Sequence, residues 1–393
     1  MKTTAGRIIV VGAGIFGVTA ARELRRRRWE VSLVDPGPIP HPRAASNDIS
    51  KVVRLAYGTD EVYTALMEEA AEIWREWNDR WPEPLYHETG VLMMTRFPMA
   101  PGDFEYESFR VLEKRGRGPQ RLSQADLRRR FPGWLAQPYV DGFYHPEGGY
   151  AESGRVVERI AEAARAEGVT VRPETSLARL QEEGGRVTGI VTRSGECLTA
   201  DRVLVAAGSW TPALLPHLAG HLRPTAHPVF HFRPPSPRLY DSRLFPVFTA
   251  DISRTGWYGF PLNRDGIVKI ARHGPGPVWD PDAPREPASG EEASLRRFLA
   301  ETFPTLAPLP IVETRLCFYC DTRDEHFWID ADPERPGLVV AAGDSGHAFK
   351  FAPVLGGIIA DVVEEKSFPQ RERFRWRPGL AAENGKEESR WRG

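Results

Sequence analysis

Three glycines set the first chemistry this sequence allows. Gly12, Gly14 and Gly17 spell GAGIFG between a β-branched apolar run, Arg7 to Val11, and a helical run, Ile15 to Arg27. In that context Gly12 permits a tight turn, Gly14 lets backbone amides approach a pyrophosphate, and Gly17 lets helix and strand pack closely. The helix start offers unpaired amides and about half a positive charge to the phosphates. A second strand, Val31 to Val34, ends at Asp35, about twenty residues past the turn, where a carboxylate meets ribose hydroxyls that carry no 2′-phosphate. A glycine turn with a purely structural role is the alternative. The motif does not choose between NAD and FAD, because both carry ADP.

Two further groups are chemically conspicuous. Lys269 lies in the apolar strand Ile267 to Ala271, so its ammonium must have a partner or a purpose. Alternation places Ile267, Lys269, Ala271 and His273 on one face. Cys317 and Cys320 form a Cys-x-x-Cys pair, and in an extended segment Cys317 shares a face with Tyr319 while Cys320 shares the other with Phe318. Zinc would require a second pair of ligands, and the only other cysteine is Cys197, so no metal site is expected. A redox dithiol remains open, and Cys320 reads as a buried, inert thiol.

The elements that must position these groups follow from patterning. The chain has 393 residues, 41% hydrophobic and 27% charged, enough for a sizeable core and two to three domains. Fifty-two basic residues against 53 acidic ones leave a net charge of −1, which gives no electrostatic footprint for nucleic acid or an anionic membrane. An odd count of three cysteines argues against a disulfide framework and for a reducing, cytoplasmic compartment. The run Ile8 to Ala21 could pass for a signal peptide, but the spacing of its glycines has the better explanation just given. Arg25 to Arg28 and Arg128 to Arg130 sit where helices would end and read as solvated charge.

Strand, glycine turn, helix and strand at the start of the chain make a βαβ unit. Tyr63, Leu66, Met67, Ala70, Ile73, Trp74 and Trp77 predict a long amphipathic helix ending before Pro82. Val156 to Ala164 predicts a second, stopped by Gly168 and followed by a strand at Val169 to Val171. Further strands are expected at Val91 to Thr95, Tyr139 to Tyr144, Trp257 to Phe260, Ile267 to Ala271 and Arg315 to Tyr319, with proline-rich connections at Pro224 to Pro237 and Gly274 to Pro287. VLVAAG at Val203 to Gly208 and LVVAAG at Leu338 to Gly343 read as two buried parallel-type strands. The expectation is an α/β (α+β) chain. Residues 1–85, 146–218 and 322–370 form a discontinuous Rossmann-like nucleotide domain, 86–145 and 219–321 form a mostly antiparallel β substrate domain, and 376–393 is a disordered polar tail.

Leu338 to Val363, LVVAAGDSGHAFKFAPVLGGIIADVV, reads as strand, turn and apolar helix beginning near Pro353. That helix would aim its positive end at an electron-rich acceptor such as the N1 and C2 carbonyl side of a reduced isoalloxazine. With GAGIFG and Asp35, with SNDISKVVRLAYG at Ser46 to Gly58, WYGFP at Trp257 to Pro261, CFYCDTRDEHFWID at Cys317 to Asp330 and AAGDSGHAFKF at Ala341 to Phe351, the sequence resembles the FAD-dependent amine oxidases of the monomeric sarcosine oxidase type, in the D-amino-acid oxidase superfamily. The resemblance runs from about Arg7 to Val363.

It implies FAD, tethered covalently to Cys317. It assigns the substrate carboxylate to Arg54 and Lys350 and oxygen activation to Lys269, and it lines the site with His273, His347 and Tyr258. His273 by itself also reads as a loop histidine. Cofactor contacts are implied for Gly12, Gly14, Ile15, Phe16, Gly17, Asp35, Ser46, Ser50, Lys51, Leu177, Ala207, Gly208, Trp210, Cys317, Tyr319, Gly343, Asp344, Gly346, His347, Phe349 and Lys350. Ser50 and Lys51 stand where sarcosine oxidases usually have threonine and arginine, and NDISK and GDSGHAFK resemble the fructosyl amino acid oxidases, which take bulkier secondary amines.

The expected activity is oxidation of a secondary amino acid, N-alkyl or cyclic, to an imine, with O2 reduced to H2O2. A fructosyl amino acid oxidase-like activity, a dehydrogenase of the same fold with another electron acceptor, an NAD enzyme and a non-catalytic nucleotide binder are the alternatives. Partners are then a small-molecule amine and O2, with no nucleic acid and no membrane, and the resemblance implies a monomer.

Overall fold

The computed structural model describes residues 4–379 and 387–393. Its first elements are strand β1 (Gly6–Val11), helix α1 (Ile15–Arg26) and strand β2 (Trp29–Val34). They form the expected βαβ unit, with β1 and β2 parallel in the register Val11 to Val34. β1 is apolar on both faces because helices cover it on one side and a small sheet on the other, so its residues read as a continuous hydrophobic run.

A six-stranded sheet grows around β1 in the order Trp328–Ala331, Leu338–Ala342, Arg202–Val205, β1, β2, Thr170–Arg172. The two VAAG-type strands are neighbours in it, parallel, with Val203 opposite Leu338. All its pairings are parallel except Trp328–Ala331 with Leu338–Ala342. Helices Ala352–Val363 and Ser153–Ala166 pack against α1 on one face. The core between them joins Val18, Ala21 and Leu24 to Val157, Ile160, Leu355 and Ile359.

Strand β3 (Lys51–Arg54) and helix α2 (Glu61–Arg80) come next. Asp60 caps α2 by accepting from the amides of Val62 and Tyr63. Its buried face, Tyr63, Leu66, Met67, Ala70 and Trp74, follows the expected spacing.

An eight-stranded sheet carries the other half of the molecule, in the order Ile311–Asp321, Arg223–Phe232, Val268–Arg272, Trp257–Phe260, Val247–Ala250, Val91–Thr95, Asp141–His145, Gln120–Arg121. A separate aromatic core of Phe230, Phe245, Phe248, Trp134 and Phe303 lies on one side of it.

Two expectations are corrected. The proline-rich stretch from Pro224 is a strand through Phe232. Its first half pairs along its length only with Ile311–Asp321, so the donors that Pro224 and Pro228 lack can fall on the less paired side. The tail, expected to be disordered from 376, lies outside the described residues over 380–386, but its end is packed. Glu387, Ser389 and Arg390 are buried, because buried ion pairs from Arg390 to Asp321 and from Glu387 to Arg54 tie it down. Among the described residues no helix is long and apolar enough to cross a membrane.

Candidate active site

A cavity of about 300 Å³ runs from the β1–α1 turn to the strand that carries Cys317. At its phosphate end Gly12 holds φ +100°, and a Cβ on Gly17 would stand 1.8 Å from the Gly12 carbonyl oxygen, so only glycine lets α1 approach this closely. Gly14, at the start of α1, brings no side chain of its own to cap the helix amides. The Ile15 amide donates to Ser46 Oγ at 3.0 Å. Asp35 accepts from the amides of Ala13 at 2.8 Å and Gly37 at 3.1 Å. Burial pushes its carboxyl up, and the two amides pull it back. A carboxylate offers about four acceptor positions, so two remain for hydroxyls.

At the other end Cys317 and Tyr319 project into one apolar cluster with Val229 and Ala271, while Cys320 belongs to the core behind the six-stranded sheet. The alternation read from the sequence therefore holds. Burial pushes the Cys320 thiol up, as expected of an inert cysteine. Lys51, on β3, donates to Cys317 Sγ at 3.2 Å. Asp344 accepts from the amides of Cys320 and Gly346, and burial raises its pKa to about 6. Among the described residues no group of His, Cys, Asp or Glu is arranged to hold a metal ion.

Lys269 is 1% exposed and does have a partner: its Nζ donates to Asp48 Oδ2 at 2.6 Å and to the Ser50 carbonyl at 2.5 Å. Asp48 also lies 3.4 Å from Lys51, so one buried carboxylate serves two lysines. Burial works against all three charges. It lowers Lys269 to about 8 despite Asp48, whereas Asp48 is held well below the usual carboxylate range by Lys269, Lys51 and Arg315.

The remaining residues form a second, cationic wall. Lys350 donates to the Tyr57 hydroxyl at 2.9 Å and to the His347 carbonyl at 2.8 Å. His347 Nε2 lies 3.0 Å from the Glu325 carbonyl, which can only accept, so Nδ1 is left to accept from Tyr57 at 3.1 Å. Arg54 stacks over the same Tyr57 ring, 4.7 Å from its centroid, and bonds Glu387, Ser389 and the Ala56 carbonyl. His273 bridges Tyr319 at 3.3 Å and Glu387 at 3.0 Å. Burial depresses the pKa of both histidines and of Lys350, and it lifts the Tyr258 phenol to about 12.

Residues 7–362 match the model of the family described as FAD dependent oxidoreductase (DAO). The chain belongs to this FAD-dependent oxidoreductase family. Monomeric sarcosine oxidase from Bacillus sp. (strain B-0618) is 29% identical over 361 residues, covering 91% of each chain. N-methyl-L-tryptophan oxidase from Salmonella newport is 28% identical, covering 92% of this chain and 95% of the relative. Among solved structures, amadoriase II of Aspergillus fumigatus, a fructosamine oxidase, aligns with a TM-score of 0.86 at 28% identity. The alignment covers all of this chain and 95% of that one. Amadoriase I of the same fungus, titled a fructosyl amine:oxygen oxidoreductase, gives 0.84 at 28%, with the same coverage.

The cavity suits the family's FAD. Open amides and the Asp35 carboxylate meet the needs of a pyrophosphate and a ribose, and Ser50 Oγ is buried without a partner beside Lys51. Of the residues expected at FAD, Gly12, Gly14, Ile15, Phe16, Asp35, Ser46, Lys51, Leu177, Ala207, Gly208, Trp210, Cys317, Tyr319, Asp344, Gly346 and Phe349 line the cavity. Gly17, Ser50, Gly343, His347 and Lys350 do not line it. His41, Arg43, Arg193 and Asp282 also line it and carry no motif that would have marked them. Tyr57 and Asp48 lay inside the SNDISKVVRLAYG segment but were not singled out. The need of Lys269 for a partner is the one signal that could have found Asp48. Glu387 had no signal at all.

Proposed function

We propose that this FAD-dependent oxidoreductase oxidises a secondary amino acid, N-alkyl or cyclic, to its imine, and that O2 takes up the two electrons and two protons as H2O2. The imine then hydrolyses to an amine and a carbonyl compound. The observation that carries this reading is the pair of buried cations, Arg54 and Lys350, that flank one Tyr57 ring, since a carboxylate is the ligand such a pair is suited to bind.

FAD supplies the acceptance of two electrons and a proton from the carbon next to nitrogen and their passage to oxygen. The chain's own residues do the rest. Arg54 and Lys350 bind the carboxylate and so orient the reacting carbon. The histidines His273 and His347, kept neutral by burial, add no further positive charge that would repel the amine. Lys269 places a positive charge where reduced oxygen becomes negative. Cys317, whose sulfur accepts from Lys51, tethers the cofactor. The enzyme acts on a small molecule as a cytoplasmic monomer.

Anaerobic mixing with a panel of N-alkyl and cyclic amino acids, together with the matching amines that lack the carboxylate, tests the reading. Bleaching of the flavin absorbance by one or more of them, followed in air by one peroxide per oxygen consumed, is the expected result. A panel in which only amines without a carboxylate bleach it overturns the substrate class. Bleaching without peroxide makes the protein a dehydrogenase. A bulkier fructosyl amino acid is the second reading. It is favoured by the amadoriase-like fold and by Asp48, Ser50 and Lys51 in the NDISK segment, so the panel includes one.

A further inference from the structure

The carboxylate receptor of this site already holds a carboxylate. Glu387 is 5% exposed and accepts from Arg54 Nη2 at 2.9 Å and from Ser389 Oγ at 2.6 and 2.7 Å, and it lies 3.0 Å from His273 Nε2. Its donors are thus the guanidinium assigned to the substrate and an imidazole of the active-site wall. The rest of the Arg54 head is also engaged, by Ser389, by the Ala56 carbonyl and by the rings of Tyr57 and Phe104. A second carboxylate brought to the same guanidinium would meet Glu387 at close range, and like charges sharing a buried site disfavour each other strongly.

The segment that delivers Glu387 is anchored outside the receptor. Arg390 pairs with Asp321 at 2.8 Å and with Glu325 at 3.2 Å, the Glu387 amide donates to Glu325 at 3.2 Å, and the Trp391 ring covers the Arg272 guanidinium at 3.6 Å. Glu388 accepts from the Thr59 amide at 3.2 Å. The tail side of these contacts lies beyond residue 362, where the match to the family model ends.

We propose that Glu387 is a built-in competitor of the substrate: it fills the Arg54–His273 carboxylate subsite of the resting enzyme and must leave before an amino acid binds. The proposal rests on the reading that Arg54 holds the substrate carboxylate. A receptor that is free only part of the time binds its ligand more weakly by the fraction of time it is free. Weakening Glu387 or its anchor should therefore tighten carboxylate binding.

The test uses the full-length, FAD-loaded enzyme and its E387Q and W391A variants. The Trp391 ring packs on Arg272, and the backbone amide that ties Trp391 to the His273 carbonyl at 3.1 Å is kept in W391A. Acetate is the probe, titrated by its perturbation of the flavin spectrum, which needs no knowledge of the substrate. Both variants should bind acetate on the order of tenfold more tightly than the parent. With any carboxylate-bearing amine that is turned over, KM should fall by a similar factor in W391A while kcat changes little. Acetate affinity that is unchanged or lower in E387Q overturns the proposal and makes Glu387 a fixed part of the pocket. Tightening in W391A alone also overturns it, since the effect would then come from the bulk of the segment and not from its carboxylate. If acetate tightens in both variants but no secondary amino acid bleaches the flavin, the substrate class fails and the internal competitor stands.

Discussion

Burial brings the pKa of Lys269 down to about 8, although Asp48, hydrogen-bonded to its Nζ, favours the ammonium form. Its proposed role needs the ammonium form. Raising the pH through about 8 removes that proton, so the rate constant for reoxidation by O2, followed by stopped flow, should fall above that pH. Replacing it, Lys269→Met, should slow reoxidation by about 10²- to 10³-fold and leave anaerobic reduction by the amine much less affected. In Cys317→Ser, flavin should pass into the supernatant on acid precipitation, whereas the parent pellet should stay yellow. Lys269 is legible because a charge in an apolar strand must be paired; alternation separates Cys317 from Cys320, and only the family resemblance picks Cys317 of the two. Glu387 was not. A polar, low-complexity tail gives no periodicity, and its burial depends on Arg54, Asp321 and Glu325, far away in the chain.

At the level of elements, the β1–α1 turn is the part most tightly specified by sequence. A methyl on Gly17 would need space held by a backbone carbonyl, which cannot swing aside as a side chain can. Gly17→Ala should therefore lower the flavin content of the purified protein and destabilise the fold by about 1–3 kcal/mol, measured by denaturant titration. The strands and helices that carry strong periodicity, β1, α1, β2 and α2, were legible within a residue or two at their ends, whereas Arg223–Phe232 was not. Proline normally argues against a strand, and what overrides it here is one-sided pairing, a property of the assembled sheet that no local window contains.

Across the whole molecule, the segments that would hold FAD come from both large sheets and meet at their junction. Its cavity draws on β1 and α1, on the segment between β2 and β3, on Ala206 to Trp210, and on the strand of Cys317. Removing it should loosen that junction. A Cys317→Ser protein stripped of FAD should melt about 5 °C lower than the same protein with FAD at a hundred times its dissociation constant, by differential scanning fluorimetry.

The strand order of the six-stranded sheet has a consequence for biosynthesis. β1 is made almost two hundred residues before its parallel neighbour Arg202–Val205, and the next strand, Leu338–Ala342, comes later still. Cys317 and the turn at Gly346 also come from the last quarter of the chain. A growing polypeptide thus carries the phosphate turn for most of its synthesis with no ring pocket to complete it. The pocket is complete only once Leu338–Ala342 and the Gly346 turn have joined it, and closing contacts between strands so distant in sequence is intrinsically slow.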